Sequence, residues 1–133
     1  MIVDAQRDAA SVSVATTWGM LAAIDLYDCA RERVSDGDCI RRFIDEVVPA
    51  IGMRAHGPIH LERFGGGALE GWSALQFIET SSITVHADEV FRRCFIDVFS
   101  CREFDAGIAS RAACRWFGGT ARITVLRRGG GDA

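Results

Sequence analysis

Two stretches of this chain repeat one another 72 positions apart: AIDLYDC at Ala23–Cys29 and FIDVFSC at Phe95–Cys101. The first sits in a segment, Gly19–Cys29, that reads as a strand, with Ile24 and Leu26 on one face and Asp25 and Tyr27 on the other. After each copy come a short loop, a helical pattern, a glycine and another strand pattern. This doubling is the strongest constraint on the fold. It predicts an α+β two-layer sandwich, with a mostly antiparallel sheet, two helices on one face and a duplicated strand–helix–strand unit.

The first helical pattern is SDGDCIRRFIDEVVPAIG. Ile40, Phe43, Ile44, Val47, Val48 and Ile51 fall on one face, with Arg41, Arg42, Asp45 and Glu46 mostly opposite. Ser35 is the expected cap, with Asp38 three residues on, and Gly52 the expected close. Pro49 is expected to kink this helix or end it early. The second helix is expected over Asp105–Gly119, and further strands over Pro58–Phe64, Trp72–Thr80, Ser82–His86, Arg93–Cys101 and Thr120–Arg128. Residues 1–18 read as an N-terminal arm, 19–128 as the domain and 129–133 as a flexible tail.

Composition narrows the function. All 15 basic residues are arginine, so a lysine Schiff-base or pyridoxal-phosphate enzyme is excluded. A net charge of −3 argues against phosphate-driven nucleic-acid binding. Five cysteines with no C-x-x-C pair favour a reducing cytoplasm over a disulfide framework or zinc cluster. No apolar run approaches the ~20 residues of a membrane span, and the opening MIVDAQRDAA lacks the basic and apolar regions of a signal peptide. His56 and His60, followed by Glu62, invite a metal reading, but Pro58 interrupts them and no fourth ligand is near, so no metal is expected. The glycines of Gly65–Gly71 lack the Gly-Lys-Ser/Thr of a phosphate loop and read as a flexible loop.

The segment QFIETSSITVH, Gln76–His86, places Thr80, Ser81 and Ser82 in the middle of apolar strand. By themselves such hydroxyls are turn formers. Their spacing to Ser73, His86 and Cys101 resembles the prokaryotic S-adenosylmethionine decarboxylase proenzyme family. There a serine lies eight residues before the self-cleaved serine, a histidine five after and a cysteine twenty after, as Ser73, His86 and Cys101 stand to Ser81. CFIDVFSC is similar to the strand leading into that cysteine, and GMLAAIDLYDC to the family's opening G-x-H strand, with Met20 in place of the histidine.

The resemblance implies that the chain cleaves itself between Thr80 and Ser81. Ser81 would become a pyruvoyl group that forms a Schiff base with a small-molecule substrate. His86 would be the processing acid–base group, Ser73 a processing assistant and Cys101 the proton donor. It implies a homodimer of processed protomers acting in polyamine (spermidine) biosynthesis. Three positions depart from the family pattern. Thr80 replaces the glutamate before the cleaved serine, Ser82 replaces a histidine, and ADEVF (Ala87–Phe91) stands where the family has a Trp-Pro-Glu-like stretch whose glutamate holds the substrate ribose. A relative that decarboxylates arginine or ornithine, and an uncleaved homologue with a binding or regulatory role, therefore stand beside the leading expectation.

Overall fold

A computed structural model describes residues 18–129, so nearly all of the expected arm and tail lie outside the described residues. Six strands, β1 (Gly19–Tyr27), β2 (Ala55–Phe64), β3 (Gly71–Ile78), β4 (Ser81–Asp88), β5 (Arg93–Ser100) and β6 (Thr120–Arg128), form one sheet in the order β2-β3-β4-β5-β1-β6. All its ladders are antiparallel. Among the described residues three helices accompany it: α1 (Arg31–Val34), α2 (Gly37–Ala50) and α3 (Ala106–Phe117). A single turn of 3-10 helix, Gly67–Leu69, lies within the glycine loop. The fold is the α+β two-layer sandwich that the doubled pattern predicts, with the short α1 added.

Ile40, Phe43, Ile44, Val47, Val48 and Ile51 are all buried, so the apolar stripe of α2 is its packing face. They meet Ala109, Ala112, Ala113 and Phe117 of α3, and below them Ile24, Leu26, Ile78, Ile83, Val85, Ile96 and Val98 of the sheet. The Phe43 and Phe117 rings lie 5.3 Å apart and join the two helices. Fully burying each such side chain contributes about 1.5–3 kcal/mol, which locates most of the stability between the layers.

The helix start differs from expectation. Asp36 is the cap of α2, its side chain accepting from the Asp38 N–H at 3.0 Å. Ser35 is instead the C-cap of α1, and its carbonyl accepts the Trp72 indole N–H at 3.0 Å. Four residues of α1 are too few to leave a helical period, so the sequence gives no sign that Ser35 is already engaged. Pro49 lies inside the last turn of α2, and Gly52 follows it at φ +77°. The next strand begins at Ala55, earlier than Pro58, with a register shift between His56 and His60.

The repeated segments are the neighbouring strands β1 and β5, paired antiparallel with Ile24 opposite Ile96. Beyond them the copies diverge. The connection through α3 carries the chain from β5 past β1 to β6, whereas that through α2 carries it from β1 past three strands to β2. The helices cover one face. The other presents Leu21, Asp25, Leu75, Phe77, His86, Phe95 and Phe99, all half-buried or exposed.

Candidate active site

Ser81 opens β4. Ile78 pairs with Ser81, which leaves Glu79 and Thr80 as a two-residue hairpin turn. Tight hairpins of this kind favour positive φ where the strand twist requires it. Here Glu79 takes it, at φ +53°, a conformation that costs a non-glycine residue about 1–2 kcal/mol. Along β4, Ser81 shares the helix-facing side with Ile83 and Val85 and is 6% exposed.

The β4–β5 register sets Ser82 opposite Phe99 and so delivers the end of β5 to Ser81. The Cys101 N–H donates to Ser81 Oγ at 2.7 Å. The Thr80 side chain, and then that of Ser81, hold the Cys101 thiol below the usual cysteine range, although burial and then the Glu79 charge oppose them. Burial drives other thiols the opposite way: Cys29 is pushed up to about 11, Cys39 is raised, and Cys94 lies well above its ordinary value. Gly19 permits this arrangement, because a Cβ there would stand 2.0 Å from the Ser100 carbonyl oxygen.

A second pair lies elsewhere. Ser73 and His86 face each other across β3 and β4, with Ser73 Oγ 2.9 Å from His86 Nδ1. Both are on the open face. Asp97 shares that face; burial raises its carboxyl pKa, the charge of His86 lowers it, and Asp25 raises it. His86 lies five residues along β4 from Ser81, on the opposite side of the sheet and about 17 Å along the strand. Within one chain, then, the four residues singled out by spacing form two pairs, Ser81 with Cys101 and Ser73 with His86.

The carboxylates after His86 are already engaged. Asp88 pairs with Arg93, whose guanidinium lies over the Phe91 and Phe95 rings at 5.0 and 5.6 Å. This group edges a shallow pocket of about 320 Å³ beside His86 and Leu69. Glu89, 8% exposed, accepts two hydrogen bonds from Arg63, at 3.0 and 2.9 Å. His60 packs edge-on against Phe77, and among the described residues no three His, Cys, Asp or Glu side chains gather as metal ligands. Nor, among them, is any helix long and apolar enough to cross a membrane.

Reading the sequence missed Asp97 and Arg102. Asp97 is the polar alternate of the second repeat copy, the counterpart of Asp25, and strand parity was the signal available for it. The Ser73–His86 contact follows from the two-residue turn at Glu79–Thr80, which sets these residues opposite each other. The expected strand limits, Thr80 and Ser82, concealed that turn.

A family model described as S-adenosylmethionine decarboxylase matches residues 21–129. The structure is similar to that of the adenosylmethionine decarboxylase from Aquifex aeolicus VF5, with a TM-score of 0.67 and 19% identity over 89% of this chain and 94% of that one. No curated protein sequence matches the chain. Fold and family match together define a two-layer α+β protein of the decarboxylase-like class. The chain belongs to the S-adenosylmethionine decarboxylase family, as a divergent member.

Proposed function

We propose that the protein is a self-processing, pyruvoyl-dependent decarboxylase of S-adenosylmethionine, serving polyamine biosynthesis. The observation that carries this reading is the environment of Ser81. Its Oγ is gripped by a backbone N–H, a thiol of lowered pKa adjoins it, and the bond before it leaves a strained turn. These features fit a cofactor made from that serine. Ser81 Oγ attacks the Thr80 carbonyl carbon, the Thr80–Ser81 amide bond breaks, and the hydroxyl proton ends on the Ser81 nitrogen. Loss of the Ser81 Cα proton then breaks the Cβ–Oγ bond and releases Thr80 as a carboxylate. Water replaces the nitrogen, which departs as ammonia. The resulting pyruvoyl group supplies an electron sink for loss of CO2 from an amino-acid substrate. Cys101 holds the proton that replaces CO2, and Ser73 keeps the His86 ring oriented through Nδ1.

Because Ser81 and His86 lie on opposite faces of the sheet, the processing histidine is assigned to a second copy. A homodimer formed through the open face would cover Leu75, Phe77, Phe95 and Phe99 and bring the partner's Ser73–His86 pair toward the Thr80–Ser81 bond.

Intact-mass measurement tests the reading. Two fragments divided between Thr80 and Ser81 are expected, the larger with a blocked N-terminus. Ser81→Ala should stay whole and release no CO2. A wild-type chain that keeps its full mass sinks the proposal. CO2 release from S-adenosylmethionine, arginine and ornithine then decides the substrate. The engagement of Asp88 by Arg93 and of Glu89 by Arg63 favours one other reading, an uncleaved homologue that binds without catalysis, since neither carboxylate is free to hold a ribose.

A further inference from the structure

Two consecutive residues after β5 take hold of both sides of the Thr80–Ser81 bond. Cys101 grips Ser81 through its N–H. Arg102 reaches back over the turn, its Nη2 lying 3.3 Å from Glu79 Oε1 while also donating to the Gly52 carbonyl. The same nitrogen lies 3.6 Å from Sδ of the buried Met53, and the Arg102 N–H donates to Ser100 Oγ at 3.1 Å. Arg102 therefore joins three segments: the end of β5, the α2–β2 loop and the hairpin turn. Gly52, Met53, Arg54, Glu79 and Arg102 line a cleft of about 430 Å³, apart from the pocket beside His86.

With the side chains 54% and 37% exposed, the Arg102–Glu79 pair contributes little to stability. Its consequence is local. Glu79 has the positive φ of the turn, and its charge is felt at the Cys101 thiol. Negative charge also develops on the Thr80 carbonyl oxygen, one residue on, when Ser81 attacks. An unopposed carboxylate there would disfavour that oxyanion.

We propose that Arg102 is a positioning residue for self-cleavage: it fixes Glu79 in the turn and offsets its charge beside the carbonyl under attack. This rests on the self-processing reading above. Time courses of cleavage followed by intact mass test it. Arg102→Ala should slow cleavage by about fivefold with an unchanged unfolding midpoint, and Arg102→Lys should recover most of the rate. Adding Glu79→Gln to Arg102→Ala should also raise the rate, because it removes the uncompensated charge. Cleavage of Arg102→Ala at the wild-type rate, or failure of Glu79→Gln to speed it, overturns the inference while leaving self-processing intact. A wild-type chain that never cleaves removes both.

Discussion

At the scale of single residues, the chemistry turns on which cysteine is exposed to which neighbours. Cys29 and Cys101 end equivalent copies of the repeat, yet their thiols shift in opposite directions. Cys29 is sealed in the core and raised to about 11 by burial. Cys101 is lowered by the side chains of Thr80 and then Ser81. The lowered pKa favours the thiolate over the thiol, so as pH rises Cys101 should become reactive before any buried cysteine. Alkylation against pH, read by mass spectrometry on Ser81→Ala chains that stay whole, should show Cys101 modified before Cys29, Cys39 and Cys94. Adding Thr80→Val should move its midpoint upward, because the largest stabiliser of the thiolate is lost. An unmoved midpoint would contradict the assignment of Thr80 as that donor.

At the scale of elements, α2 was the most legible part of the sequence. Its apolar positions follow a 3.6-residue period over four turns, and each of them is buried. Phe43 is fully buried against Phe117, so Phe43→Ala should cost about 3–5 kcal/mol. Urea unfolding should show a lower midpoint with an unchanged slope; a shift below about 1 kcal/mol would mean the helix pair closes the cavity by moving together. The ends of elements were less legible. Ser35 carries the right side chain for a cap, but α1 uses its backbone first, and the next residue takes the role. A turn among the hydroxyls was legible, but its position was obscured because Glu79, which takes its first place, is not a turn residue by composition. A glutamate at positive φ is strain that the surrounding ladder imposes rather than a preference of the segment.

At the scale of the whole molecule, the sheet separates what the spacing suggested was one site. If the two pairs belong to one reaction, a second copy must supply the missing half. Co-expression tests this directly. Ser81→Ala chains retain Ser73 and His86 but cannot cleave, and His86→Ala chains retain Ser81 but lack the acid–base group. Expressed alone, each should remain whole. Expressed together, the His86→Ala chain should be cut, since its Ser81 can meet the histidine of the other subunit. If the His86→Ala chain stays whole in the mixture although wild type cleaves, the shared site is refuted. Sedimentation of the wild type should accordingly report a dimer.

The sequence by itself determined the two layers, the packing stripe of α2 and the doubled strand. Local periodicity sets which side of each element is apolar, and burial follows from that. That Ser81 and His86 face opposite ways came from the structure, which starts β4 at Ser81 rather than Ser82, since an odd spacing along one strand changes sides. Only the tertiary structure decided that the Cys101 N–H meets Ser81, that Arg102 reaches the Glu79 turn and that Arg63 occupies Glu89. Each of these contacts depends on the register between strands or on how a distant loop approaches, and that geometry is set by packing over the whole sheet rather than by neighbours in the chain.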